Sequence, residues 1–270
     1  MQDPHVDRRQ VTESEYNDAN KLDLRNEIQE RYSSHPIPWF QWVFGWLKLP
    51  AEARILELGC GSGALWQKNH ARVPAGWKMV LSDLSMQMVK TARSGVRDLQ
   101  LNFEFAIFDS QALPFAGESF DAVLAIGLLD YLPNLQKALS EVRRVLRPAG
   151  QIFASAGSRQ HLHELQNLLR PYVARERAQV IGGEEARFGL ENGEQSLAPF
   201  FRDLTRHDYQ SSMTFHEAQP ILNYVFSESE IISSMNLAQV SSFTHKVKGY
   251  IAKHGEFSVT VDKGLFTARK

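Results

Sequence analysis

The chain has 270 residues, 43% hydrophobic and 23% charged, with a formal net charge of −1. That is enough for one large domain or a domain with a cap, and the near-neutral balance gives no global draw toward nucleic acid. The single cysteine, Cys60, excludes an internal disulfide and a multi-cysteine metal site. No stretch reaches the ~18 apolar residues of a membrane span, and the polar start Met1–His5 lacks a signal peptide's apolar core. The expectation is a cytoplasmic protein, monomeric or homodimeric, without metal, membrane or nucleic-acid partners.

Residues 1–14 are polar and read as disordered. Tyr16–Arg31 shows weak helical periodicity through Leu22, Leu24 and Ile28. A turn at 32–38 then leads into an aromatic helix over Trp39–Leu49, ended by Pro50. Tyr32 sits in that turn, placed to lie over a bound ligand. From residue 52 strands and helices alternate. Strands are expected at Arg54–Leu58, Lys78–Ser82, Phe103–Phe108, Ala122–Ile126 and Gln151–Ser155, and helices near 64–70, 86–94 and 135–146. This alternation implies parallel strands with right-handed crossovers and a ligand at their carboxyl ends. Beyond Ser155 the spacing predicts a helix over His161–Val180, a loop at Gly182–Glu185, a short helix over 192–201 and a strand over Leu204–Phe215. Helices over 217–226 and 228–255 follow, broken near Ser227 and Asn236. Two extended pieces, Phe257–Val261 and Leu265–Lys270, close the chain around a hairpin-type turn at Asp262-Lys263-Gly264.

The organising stretch is Arg54–Gly63. A buried strand, Ile55–Leu58, runs straight into Gly59, Gly61 and Gly63 and then a helical segment. Glycines let another molecule approach the backbone, and strand, glycine loop and helix together make a cofactor corner. Taken alone, Gly59-x-Gly61 also fits a loose dinucleotide fingerprint. Three acids narrow the choice. Glu57 precedes the first glycine. Asp83 ends the second strand, where an acid accepts ribose hydroxyls; its competing role, capping the next helix, can be filled by Ser85. Asp109 ends the third strand, followed by Ser110, and can accept an adenine amino hydrogen.

Residues 52–156 resemble the class I S-adenosylmethionine-dependent methyltransferases of the small-molecule type. The resemblance rests on Leu56–Gly63, Leu81–Ser85, Ala106–Phe115, Phe120–Val123 and Leu139–Gly150, with Ala149 where glycine is usual. It implies an α/β fold: a Rossmann-like, seven-stranded doubly wound sheet with an antiparallel last strand. The implied layout is an N-terminal helical segment (1–51), a cofactor-binding core (52–156), a helical cap with one core strand (157–255) and a C-terminal hairpin (256–270). The implied cofactor is S-adenosyl-L-methionine. Gly59, Cys60 and Gly61 lie under its methionine part, Glu57 near its amino group, Asp83 on the ribose, and Asp109 and Ser110 at the adenine. Ile126 and Gly127 line the methyl-donor side, and Tyr32, Leu84 and Met88 complete the contacts.

Methyl transfer to a hydroxyl or acidic carbon needs a proton removed. Tyr131, His161 and Asp130 are the leading candidates, with His163, Glu191 and His35 behind them. His161 and His163 are two apart, so on a helix they face different ways. Relatives often carry a histidine after the fourth strand; here the loop reads Gly127-Leu128-Leu129-Asp130-Tyr131-Leu132, which shifts attention to Tyr131 or a cap residue. This loop also lacks the Asn/Asp-Pro-Pro-aromatic signature of amino-DNA methyltransferases. The expected function is methyl transfer to O, N or C of a small, partly apolar molecule, as in natural-product tailoring. The alternatives are a cofactor-binding protein without methyl transfer, pericyclase-like or regulatory, and a nicotinamide oxidoreductase.

Overall fold

The computed structural model describes residues 19–178, 181 and 187–270. The stretch 1–14 and the Gly182–Glu185 loop lie outside the described residues. In chain order the elements are α1 (Ala19–Tyr32), α2 (Trp39–Gly45), β1 (Arg54–Leu58), α3 (Ala64–Gln67), β2 (Lys78–Asp83), α4 (Met86–Gly95), β3 (Asn102–Ile107), β4 (Phe120–Ala125), α5 (Leu135–Val145) and β5 (Leu146–Gly157). Then come α6 (His163–Leu169), α7 (Arg175–Ala178), α8 (Gly193–Leu197), β6 (Arg202–Phe215), α9 (Ala218–Ser227), α10 (Ser229–Ser234), α11 (Leu237–His254) and β7 (Phe257–Arg269).

The seven strands form one sheet in the order β3-β2-β1-β4-β5-β7-β6. β1 to β5 pair in parallel, and β7 is antiparallel to β5 and to β6. The expected seven-stranded sheet with an antiparallel last strand is therefore present. Its strand order reverses between β1 and β4, the switch point where such sheets bind ligands. β1 and β4 read as near-continuous apolar runs because helices cover both faces. On one face α5 buries Ala138, Leu139, Val142 and Val145, a helical stripe at the right spacing. The other face takes α2, α3 and α4, through Val43, Phe44, Trp66 and Ala92. A separate apolar cluster joins α1, α6, α9, α10 and α11 to β6 and β7, through Ile28, Leu165, Tyr224, Ile231, Phe243 and Val259. Among the described residues no helix is long and apolar enough to cross a membrane.

Three local expectations are corrected. The Asp262-Lys263-Gly264 turn does not form: β7 runs unbroken, with Lys263 paired to Gly157 on one side and Tyr209 on the other. Gly264 serves the sheet rather than a turn, because a Cβ there would meet the His207 carbonyl at 2.7 Å. The aromatic helix stops at Gly45, where Trp46 and Leu47 N–H groups bond three residues back. The helix expected over His161–Val180 is two short ones, since Leu162 adopts a left-handed φ of 57° and donates its N–H to Thr260 of β7. The break at Asn236 is as expected, with Asn236 and Gln239 forming a reciprocal cap on α11.

Candidate functional site

β1 delivers the chain to its glycine loop at the switch point. Gly59, Gly61 and Gly63 all have positive φ, of 65°, 53° and 79°, a region costly to side-chain-bearing residues. A Cβ on Gly59 would fall 2.9 Å from Leu128, and one on Gly61 2.9 Å from Leu22 of α1. α1 thus lies directly over the loop, and Ser62 Oγ donates to its Asp23 at 2.5 Å.

Two carboxylates sit under this loop. Glu57 is 3% exposed and accepts from Trp66 Nε1 at 2.5 Å. Burial pushes its pKa up to about 8, opposed by the Trp66 bond and assisted by the Asp83 charge. Asp83 accepts from Gly61 N at 3.1 Å and Ser85 N at 2.9 Å. Burial raises its pKa as well, against the pull of those bonds. Among the described residues neither carboxylate meets a lysine or arginine. Withdrawn carboxylates without a counter-charge are costly, so the corner is electrostatically incomplete and complementary to a cation. S-adenosylmethionine, with a sulfonium and an α-ammonium, fits that donor set.

The remaining candidates fall around this corner. Cys60 is buried in the loop, and burial, then the Glu57 and Asp83 charges, push its thiol pKa up. Leu84 and Ile107, each 47% exposed, stand at the ends of β2 and β3, an apolar pair suited to a flat base. Asp109 closes a turn by accepting from Gln111 N at 2.9 Å, beside the buried Ser110. Gly127 has φ of 71°, its N–H bonds Ser155 Oγ at 2.8 Å, and a Cβ on it would meet nothing within 4 Å; the space beside it is open. Ile126 packs partly buried against the α2–α3 side. Met88 is wholly buried on the inner face of α4. Tyr32 packs its ring 4.7 Å from Phe215, within the cap cluster.

On the acceptor side, Asp130 accepts from Arg187 N at 2.6 Å and Phe188 N at 3.4 Å, so it anchors the chain returning from the cap. Tyr131 is 40% exposed next to it. His161 lies against Gly157 at the end of β5. Its Nδ1 is sealed from solvent without a hydrogen-bond partner, and burial, with the Lys263 charge, lowers its pKa to about 3. Exposed His163 bonds the Gln160 carbonyl. Sequence reasoning missed Ile107, Gln111, Gln29, Tyr209, Tyr224 and Lys263. Ile107 and Gln111 were within reach as neighbours of Asp109, which Gln111 bonds; the others come together only through the cap.

Residues 55–150 match a family model described as a methyltransferase domain. A ubiquinone/menaquinone biosynthesis C-methyltransferase of Hahella chejuensis is 33% identical over 138 residues, 50% of this chain and 54% of that one. Its counterpart from Pectobacterium atrosepticum is 27% identical over 164 residues, 60% of this chain and 64% of that one. The chain thus spans between half and two thirds of the length of these curated relatives. Among solved structures, phosphoethanolamine N-methyltransferase 2 of Haemonchus contortus, in complex with phosphomonomethylethanolamine and S-adenosylhomocysteine, superposes with a TM-score of 0.59 at 16% identity. That match covers 98% of this chain and 60% of the other. The [4+2]-cyclase SpnF superposes at 0.53 with 17% identity, over 86% of this chain and 80% of its own. Identities this low speak for the fold alone. The domain match falls on the glycine loop and its two carboxylates, and residues 55–150 are similar to the methyltransferase domain of S-adenosylmethionine-dependent enzymes.

Proposed function

We propose that the chain transfers a methyl group from S-adenosylmethionine to an O, N or C atom of a small, partly apolar acceptor. The observation that carries this reading is the pair of carboxyl groups, Glu57 and Asp83, held under a positive-φ glycine loop with no lysine or arginine paired to them among the described residues. When bound, the cofactor supplies an electrophilic methyl on a positively charged sulfur. Glu57 holds the α-ammonium, Gly59–Gly63 the methionine tail, Asp83 the ribose, and Asp109 with Ser110 the adenine, flanked by Leu84 and Ile107. Gly127 leaves room on the methyl side.

Methyl transfer is an in-line displacement, so the protein's task is alignment and exclusion of water. α1, over the glycine loop, and the aromatic ladder of α2 provide the cover. Trp39 and Trp42 stack at 5.5 Å, and each sets an edge against Tyr209, at 5.1 and 5.3 Å. His161, held neutral by burial, acts as a hydrogen-bond acceptor for an acceptor hydroxyl rather than as a strong base. The curated relatives are named for C-methylation in quinone biosynthesis. That favours an aromatic carbon acceptor, and the aromatic cover of α2 agrees with it.

Titration calorimetry with S-adenosylmethionine and S-adenosylhomocysteine tests the cofactor. Absence of binding at millimolar cofactor would overturn the reading. A mass-shift screen of acceptors then tests transfer: a methylated product must appear together with S-adenosylhomocysteine. Conversion of an acceptor without S-adenosylhomocysteine would instead point to the non-methylating chemistry of the cyclase on this fold.

A further inference from the structure

Asp109, half-buried, stands in the turn that follows β3, with the buried Ser110 and Gln111 directly after it. Leu84 and Ile107 mark the carboxyl ends of β2 and β3 beside this turn, on the edge where such a sheet takes its ligand. Gln111 is 9% exposed. Its Nε2 donates to Asp109 Oδ1 at 3.0 Å and to Oδ2 at 3.1 Å, and its backbone N–H donates to Oδ1 at 2.9 Å. Its Oε1 accepts from Asn134 N at 3.0 Å. One buried amide thus touches both oxygens of a carboxylate and is itself held from behind.

That amide can face only one way. Turned over, it would set its oxygen against the Asp109 carboxylate and its NH2 against the Asn134 N–H. Asn134 is fixed in turn, because its Oδ1 accepts from Lys137 N at 2.9 Å and caps α5. The turn has other means of holding its shape. Ala112 N bonds the Asp109 carbonyl at 2.9 Å, and Leu113 N donates to Glu141 Oε2 at 2.9 Å. Arg144 donates to the carbonyls of Leu113 and Phe115 at 2.9 and 2.7 Å. The Phe115 ring packs 5.4 Å from that of Phe108 and 4.9 Å from that of Phe120. What the Gln111 amide adds to these bonds is the orientation of one carboxylate.

We infer that Gln111 is a positioning residue for recognition of the cofactor's base. Acting through Asp109, it orients the carboxylate toward the adenine amino group and sets the preference for an amino over an oxo group at that place. The inference rests on the adenine position proposed above. A carboxylate left to itself swings about its Cβ–Cγ bond, and ordering it only on binding costs part of the contact energy. With Nε2 on both oxygens, the carboxylate plane is set beforehand. An ionised carboxylate only accepts hydrogen bonds. An amino hydrogen therefore meets it favourably, and a carbonyl oxygen at the same place is repelled. A site built around one polar partner rejects the analogue that cannot pair with it.

Calorimetry of the full chain with S-adenosylhomocysteine and with S-inosylhomocysteine, its deaminated analogue, tests this. Wild type is expected to bind the adenosyl compound at least about tenfold more tightly. Gln111→Leu is expected to lose most of that preference, through weaker binding of S-adenosylhomocysteine. Gln111→Glu keeps the size and the acceptor for Asn134 N, and replaces only the Nε2 donor, by a second acid. While the two carboxyls share a proton the donor is restored, and when that proton leaves they repel. The affinity of Gln111→Glu for S-adenosylhomocysteine, relative to wild type at the same pH, is therefore expected to fall at least about tenfold between about pH 5 and about pH 8. A merely structural role would weaken both compounds alike and give no such profile. An unchanged preference in folded Gln111→Leu, or a flat relative profile for Gln111→Glu, overturns the inference. The profile decides it alone if the leucine variant does not fold. Wild type that binds both compounds equally overturns the inference and leaves the methyltransferase reading standing; wild type that binds neither overturns both.

Discussion

The glycine corner of the ligand edge is assembled over short distances along the chain, and the Lys263 end over very long ones. The Gly61–Asp83 bond that shapes the glycine corner spans 22 residues, whereas the Lys263–Gln29 bond spans 234. The two ends also hold withdrawn ionisable groups of opposite kind, the acids Glu57 and Asp83 at one and the base Lys263 at the other, and burial opposes the charged form of each. The comparison also separates fragility: the short-range corner is carried by the central sheet, while the long-range one depends on α1 staying docked.

The docking of α1 is where the Lys263 end breaks most easily. Arg25 meets Glu228 at 3.1 Å and donates to the Ser227 carbonyl at 3.1 Å. Arg25→Met removes this guanidinium from the buried Glu228 carboxylate and is expected to cost about 3–5 kcal/mol in urea unfolding. The cofactor end breaks through its backbone. Gly59→Ala must adopt φ near 65° with a Cβ 2.9 Å from Leu128. A cost of about 1–3 kcal/mol is expected, read as weaker S-adenosylhomocysteine binding in calorimetry and a lower Tm.

A milder probe of the same end is Asp83→Ala. Loss of a two-point ribose contact is expected to weaken cofactor binding at least about tenfold, about 1.4 kcal/mol; unchanged affinity would remove Asp83 from the site.

The smallest effect sharpens the comparison through pH. Folded Glu57 keeps its proton up to about 8, while in the unfolded chain it ionises near 4.5. Between those values the folded state binds more protons, so its contribution to stability falls as pH rises. Glu57→Gln is expected to flatten that decline, seen as denaturant midpoints of variant and wild type moving apart as pH increases. His161 works in the opposite direction. Its folded pKa of about 3 against 6.5 unfolded means its contribution is present above 6.5 and lost as pH falls toward 3. An unchanged Glu57→Gln profile would show that this carboxyl does not hold its proton.

Much of the fold and of the cofactor corner was legible in the residues alone. Apolar runs such as Ile55–Leu58 announced parallel strands because a sheet covered on both faces leaves them no polar face. Gly59, Gly61 and Gly63 announced the loop because its positive φ angles exclude other residues. Asp83 and Asp109 stood out because strand ends at the switch point are where a ligand lies. All of these are local requirements written in consecutive residues. Where the requirement was not local, the reading went astray. Asp262-Lys263-Gly264 has the composition of a turn, yet it lies between β5 and β6, whose backbones offer partners on both sides and hold it extended. That tertiary pairing overrode local preference, as strands depend on their surroundings, and it carried Lys263 to the ligand edge. Only the docking of α1 and α2 then brought Gln29 and Trp39 onto it. The sequence by itself determined the sheet, the glycine corner and the class of donor; the tertiary structure alone decided what faces the acceptor, because that surface is made of segments no local rule connects.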